Sequence, residues 1–382
     1  MKRILNLYII REISSLFLLG ITVFTLILLM GRLIKLTDLV IARGVPFTEV
    51  FLMITYLMPS FLVFTIPMAF LLSVLLAFGR LSSDNEITVM KSGGISLTQL
   101  LPPVIVSGLV AALISLTAGV VGVPWGNTAF KRLSLEVLKQ NVAVTIREKI
   151  FWDDIPGIIL YTDHYDEEHH TLQGVIIHDG RDPQRPLTIF AKEGTVGSFS
   201  DQNGLNLVLN QGSIHSSGKN NEYRLVNFGE YIMTVFSPHN KDDLNLNQLD
   251  MSVSQLKENI NNPATPPQKR FAMGAELHSR FALPFASIVF AILAVPLGMQ
   301  NGRTGKSAGF TVSISILLAY YLLLSLMRTF AERGILPPLV ALWVPNLMFL
   351  SLGCYLLRMA STEKKIPLPT ANMFLRIFRK PS

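Results

Sequence analysis

Two stretches of the chain crowd together side chains capable of chemistry. The first is Asp163-His164-Tyr165-Asp166-Glu167-Glu168-His169-His170, rich in metal-capable and acid–base groups. Zinc sites draw their ligands from separate, rigid elements in defined geometry. This run lies where one β-type run ends and the next has not begun, which also suits a solvated hairpin loop. No nucleophile elbow or H-E-x-x-H pattern accompanies it, so the sequence offers no catalytic residue and no metal site. The second stretch, Gly302-Arg-Thr-Gly-Lys306-Ser307, looks like the end of a phosphate-binding loop. The full pattern needs glycine at 300, where Gln300 stands, and a preceding strand, where an apolar helix stands. A basic turn between two membrane spans explains it; ATP must then be hydrolysed by another subunit. The one cysteine, Cys354, rules out an intrachain disulfide and a Cys-based zinc site. No cofactor is called for.

Two further groupings point to binding. Ser82 to Gly94 is a short polar stretch between long apolar runs. Ser83 and Glu86 have the S-x-x-E spacing of a capping box, and Gly93-Gly94 supplies a left-handed stop. A helix of about two and a half turns fits between them, with Ile87 and Met90 on one face at i and i+3. Such a helix either docks in a groove of a soluble partner or lies on the surface as a connector. The other grouping is cationic. Arg32, Lys35 and Arg43 follow the first apolar run, and Arg328 and Arg333 end the fifth. They either snorkel to lipid phosphates or form a site for an anionic lipid headgroup.

The elements that position these groups follow from composition. Of 382 residues, 50% are hydrophobic and only 15% charged, with mean hydropathy +0.43. A soluble domain carries about 25% charged residues, so this is a membrane protein with a polar insert. The net charge of +7 fits loop topology and anionic lipid. No basic stripe is interleaved with aromatics, which argues against nucleic acid. A span takes about 20 apolar residues. Six are expected: Ile13–Met30, Phe51–Gly79, Leu100–Val123, Phe281–Met299, Ala308–Thr329 and Leu339–Leu357. The first lacks a small-residue cleavage site and is followed by Arg32 and Lys35, so it reads as a retained span. The second is longer than the bilayer requires and must tilt, kink at Pro59 or Pro67, or protrude.

From Trp125 to Leu249 the chain is polar, with β-type runs such as Gly157–Tyr161, Gly174–Ile177, Leu187–Ala191 and Tyr231–Phe236. Leu205, Leu207 and Leu209 alternate with Asn206, Val208 and Asn210, and Asp179-Gly180, Asn203-Gly204 and Ser217-Gly218 mark turns. This predicts an antiparallel sandwich or jelly roll. Ser252 to Lys269 reads as a short helix and a hinge. The basic ends and the Arg303/Lys306 turn place both termini in the cytoplasm and the β insert outside. The expected fold class is an α-helical polytopic membrane protein with six transmembrane helices and an inserted jelly-roll-like β domain. Its parts are residues 1–124 (spans one to three, with a docking helix near 83–94), 125–250 (β domain) and 251–382 (hinge, spans four to six and a basic tail).

Several segments together resemble the LptF/LptG permeases. They are Glu86-Ile-Thr-Val-Met90 with Gly93-Gly94, Arg32-x-x-Lys35, Ala275-Glu-Leu-His-Ser-Arg280, Val295-Pro-Leu297 and the Arg303-Thr-Gly-Lys306 turn. The resemblance covers nearly the whole chain, and the Glu-Leu-His-x-Arg stretch is nearer to the LptF branch than to the LptG branch. It implies an inner-membrane subunit with a periplasmic β-jelly roll, paired with an LptG-like second permease. It also implies an LptB-like ATPase dimer and an LptC-like partner. The complex would extract lipopolysaccharide from the outer leaflet and pass it to a periplasmic bridge. On that reading Glu86, Ile87 and Met90 couple to the ATPase, and Arg32, Lys35 and Arg328 meet the lipid headgroup at a cavity lined by spans one and five. The residues themselves leave two alternatives: a permease of another envelope ABC exporter, for lipoprotein or peptide, and a membrane-anchored envelope enzyme.

Overall fold

The structure is a computed structural model that describes residues 2–43, 46–145, 148–155, 157–166, 171–181, 186–199, 204–217, 223–236, 247–301 and 306–362. The described helices are α1 (Lys2–Arg43), α2 (Phe47–Ser83), α3 (Glu86–Ser92), α4 (Leu97–Thr117), α5 (Val123–Thr145), α6 (Val253–Asn261), α7 (Pro267–Asn301), α8 (Lys306–Glu332) and α9 (Pro338–Ser361). A π-helical turn, Ala118–Gly122, joins α4 to α5. Among the described residues, six helical stretches are long and apolar enough to cross a membrane, and each overlaps one of the six expected spans. The chain packs as two compact units.

The first unit comprises Met1–Leu33, Thr55–Thr128 and Gln248–Ser382. Its core is built on spans two and four, of which 72% and 78% of the most apolar stretch is buried, against 22% for spans one and five. Ile66, Phe70, Val74 and Phe78 of α2 meet Ala286, Phe290, Leu293 and Leu297 of α7 in one cluster. Small residues permit the approach. A Cβ at Gly298 would stand 2.8 Å from that of Phe78 and 3.1 Å from the Leu75 carbonyl. At Gly126 it would stand 2.1 Å from the Tyr56 carbonyl.

Pro59 and Pro67 lie inside α2, which stays helical throughout. Pro67 has no N–H for the carbonyl four residues back, that of Val63. Ser115 of α4 supplies the missing donor at 3.3 Å, and the Tyr321 hydroxyl of α8 donates to the neighbouring Phe64 carbonyl at 3.1 Å. In a membrane, neighbouring helices satisfy backbone groups that proline frees. The residues of α2 before Thr55 belong to the second unit.

The second unit comprises Ile34–Ile54 and Ala129–Asn247. The third span does not end in a β domain at Trp125, as expected; it continues helically to Thr145. Leu133 and Val137 keep a helical period although hydropathy falls, and with Phe130 they pack on Val50, Met53 and Ile54. The β part is one six-stranded antiparallel sheet in the order β1-β2-β3-β4-β5-β6. The strands are Trp152–Ile155, Ile158–Asp166, Thr171–Asp179, Leu187–Phe199, Gly204–Ser217 and Tyr223–Phe236. Among the described strands the order is that of a meander, without the Greek-key crossover of a complete jelly roll.

A crease gives this single sheet an interior. His164, Gln173, Glu193, Asn210 and Glu230 pair in one row across five strands. On either side of that row the inward parity shifts by one. Thr162 and Tyr165 are buried on β2, Leu172 and Val175 on β3, and Ala191 and Gly194 on β4, with two non-buried residues between each pair. Gly174 (φ 64°) and Gln211 (φ 53°) adopt the left-handed backbone beside the row. Both leaves then turn apolar faces to one core, where Leu160 and Ile177 join Leu172, Leu207, Leu209 and Met233.

Candidate functional site

At one end of the helical unit the chain reverses between α2 and α3. The expected capping box does not form. α2 continues through Ser83, whose hydroxyl donates to the Arg80 carbonyl at 2.9 Å. Asn85 takes the N-cap position in left-handed conformation (φ 59°) with no side-chain cap. Asparagine tolerates that conformation, so a tight reversal replaces a capped entry and α3 shortens to seven residues. The glycine stop is present at Gly94 (φ 82°). Gly94 N–H donates to the Lys91 carbonyl and Ile95 N–H to that of Met90, a Schellman closure. Ile87 is 4% exposed and Met90 packs beside it on the unit's own core. The pair therefore anchors α3 inward, while Thr88 and Val89 face outward.

Because Ser83 does not engage it, the Glu86 carboxylate is available to α1. The Tyr8 hydroxyl donates to its two oxygens at 2.9 and 3.1 Å. One turn further along α1, Glu12 accepts from Arg80 at 2.6 Å, and Arg80 also meets Asp84 at 3.5 Å.

At the far end of the unit, Glu276 and Arg280 of α7 are 3% exposed. One Glu276 oxygen accepts from Arg280 at 3.2 Å and the other from Arg328 of α8 at 3.0 Å. Arg328 also donates to Glu332 at 2.8 Å. The rest of the Arg280 fork is bound to the carbonyls of Met251, Gln248 and Leu249 at 2.7, 3.1 and 3.2 Å, fixing the chain that leads into α6. Two carboxylates and two guanidiniums make a neutral set, as burial demands. Arg328, expected from the sequence at a lipid headgroup site or snorkelling, is held by two carboxylates while its side chain remains 32% exposed. Glu276 and Arg280 carried a readable signal: ionisable residues at i and i+4 in an apolar helix.

Arg32 is exposed on α1. Lys35 follows in the same helix, with its side chain outside the described set, as is the Gly302–Gly305 part of the basic turn. No described hydrogen bond or ion pair joins Arg32 to Arg328, whose described partners are Glu276 and Glu332. Thr25 of α1 donates to Thr65 of α2 at 3.3 Å, and Tyr321 of α8 reaches the adjacent Phe64. Arg32 and Arg328 each lie seven residues beyond these contacts, 25 to 32 and 321 to 328. Among the described residues no three His, Cys, Asp or Glu side chains gather as a metal site.

The sequence pattern of the family described as lipopolysaccharide export system permease LptF/LptG matches residues 7–359. The chain belongs to the LptF/LptG family. It is 21% identical over 351 residues to the lipopolysaccharide export system permease protein LptF of Escherichia coli (strain K12), covering 91% of this chain and 93% of that one. The protein of that name from Shigella flexneri matches at the same identity and coverage. An uncharacterised protein of Rickettsia prowazekii (strain Madrid E) is 22% identical over 358 residues, covering 92% of this chain and 97% of that one. This LptF/LptG member is therefore a multi-pass membrane permease of a transport family rather than an enzyme family. Tyr8, Glu86, Glu276, Arg280 and Arg328 all lie inside the matched range.

Proposed function

We propose that this chain is one half of a heterodimeric permease in the inner membrane of a Gram-negative cell, facing an LptG-like second subunit. An LptB-like ATPase dimer binds at α3, an LptC-like partner joins the assembly, and the β domain is periplasmic. The cargo is lipopolysaccharide, drawn from the outer leaflet between spans one and five and passed along the β domain towards a periplasmic bridge.

The observation that carries this reading is the state of spans one and five within the family layout. Both are poorly covered by the chain's own helices. Ile314, Leu318, Leu322 and Leu326 form an exposed stripe at i+4 spacing on α8, and Leu19, Leu26 and Met30 are exposed on α1. Such faces suit acyl chains and a second subunit. Arg32, with Lys35 one turn on, and Arg328 stand at the level where these faces end, suited to phosphorylated sugars. In the ATPase role Glu86 meets the partner, while Ile87 and Met90 hold α3 to the bundle so that force on it reaches the spans.

The test is copurification of the chain with an ATPase and a second six-span permease, combined with photocrosslinking to lipopolysaccharide from α1 positions near Met30. Joint recovery with lipid crosslinks is the expected result. An assembly that forms and crosslinks phospholipid but never lipopolysaccharide would refute the cargo.

A further inference from the structure

We propose that Tyr8 is a positioning residue that latches span one to α3, so that span one moves with the ATPase-bound element as one body. The inference rests on the reading of α3 as the coupling helix.

Two links, one turn apart on α1, grip both sides of the α2–α3 reversal. Glu12 holds Arg80 on the last turn of α2, and Tyr8 holds Glu86 on the first turn of α3. Ile9 and Ile13, between and beside them, are each 1% exposed. Tyr8 and Glu86 meet part-buried beside them, whereas Arg80 is 49% exposed and its pair with Glu12 is of the surface kind that adds little by itself, so the Tyr8–Glu86 bond carries the latch. Beyond this end span one meets α2 at Gly20 against Ala69 and at Thr25 on Thr65, while 22% of its apolar stretch is buried and Leu18, Leu19, Val23, Leu26, Ile27 and Met30 are exposed. Motion of α3 enters span one through the Tyr8–Glu86 bond. From Tyr8 to Arg32 it is an unbroken helix of about 36 Å at 1.5 Å per residue, so displacement at Glu86 is delivered to the headgroup level without an intervening joint.

The Tyr8 contact leaves room for a partner. A carboxylate has about four acceptor directions, and one phenol O–H shared between its oxygens occupies few of them. A cation on the ATPase can approach Glu86 while Tyr8 stays bound. Glu86 then serves as the shared node of an intersubunit contact and an intrachain one.

The experiment uses the full transporter, this chain with its second permease and ATPase, in proteoliposomes loaded with lipopolysaccharide. Tyr8→Phe removes one hydroxyl and keeps the ring. ATPase binding and hydrolysis are expected to persist while lipid released per ATP falls about tenfold, the factor of a charge-assisted hydrogen bond. The second arm is Glu12→Cys with Arg80→Cys in a Cys354→Ser background, joined by a short bis-maleimide. The unjoined pair should be impaired, and joining should restore release, because a latch that never opens tolerates a covalent one. Wild-type release from Tyr8→Phe, or release blocked by joining, overturns the latch. If the wild-type chain binds no ATPase, the coupling reading itself fails and takes this inference with it.

Discussion

Glu276 and Arg328 are joined across spans four and five at 3.0 Å, and the same carboxylate holds Arg280 at 3.2 Å. Its loss should therefore be felt twice. Glu276→Gln leaves the buried Arg280 guanidinium without a counter-charge and should destabilise the helical unit by about 3 kcal/mol. Arg328→Ala leaves Glu276 still paired and should cost about 1 kcal/mol. Thermal unfolding of the full chain in detergent ranks the two, and the reverse order would show that Arg328 is the structural member.

The same pairing divides the headgroup cations. Arg32→Glu with Lys35→Glu places two like charges where a phosphate would sit and should nearly abolish lipopolysaccharide crosslinking, with the ATPase still copurifying. Arg328→Ala should reduce crosslinking less, because that guanidinium already serves two carboxylates. Undiminished crosslinking in the double Glu variant would leave Arg32 and Lys35 as snorkelling side chains.

Glu86→Gln keeps an oxygen that can accept from Tyr8 but removes the charge. If a partner cation uses that charge, association with the ATPase should weaken by about 2 kcal/mol or more. Quantitative pull-down at several salt concentrations reads it. Unchanged binding would confine Glu86 to the intrachain contact.

Asn346 sits fully buried in α9, accepting from the Tyr320 hydroxyl at 3.0 Å and donating to the Ala282 carbonyl at 2.8 Å. Hydrogen bonds between membrane helices are worth about 0.6 kcal/mol on average and 1.7 at most. A double-mutant cycle of Asn346→Leu and Tyr320→Phe should return a coupling inside that range. Additive effects would mean that the two side chains act only as volume.

In the β domain, hydrogen bonds from the Arg181 guanidinium, aided by its backbone N–H, hold Asp179 below the usual carboxylate range. A depressed folded-state pKa adds stability above the unfolded value, lost as pH falls through the folded one. Limited proteolysis near Gly157–Arg181 should find wild type better protected than Asp179→Asn at pH 7. The two should converge well below about pH 4. A gap that persists in acid would assign the difference to turn geometry rather than charge.

What the sequence made legible was what depends on runs and local spacing. All six spans follow from apolar length, and the stop at Gly94 follows from glycine's access to positive φ. Features set by competition between neighbours were hidden. Ser83 was spaced for a cap, yet α2 absorbed it, and only then did Glu86 become available to Tyr8, 78 positions away. The extension of α5 was masked because hydropathy drops at Trp125 while helical period persists. The crease was hidden for a different reason. Each strand shows only a one-residue slip in its own alternation, and the slips acquire meaning once the register aligns them. Arg328 was grouped by the sequence with other cations, and its pairing was hidden because its partner Glu276 lies 52 positions earlier.

The crease also bears on how this domain avoids indiscriminate self-association. β6 is the edge of the sheet among the described strands, 14 residues long, with Tyr223, Leu225, Val226 and Ile232 exposed. A flat edge of that length and character is a template for fibre-like growth. Here the edge carries Glu230, paired with Asn210 in the crease row, so an incoming strand meets a carboxylate midway along the ladder. A charge at that point makes unselective edge-to-edge growth more costly.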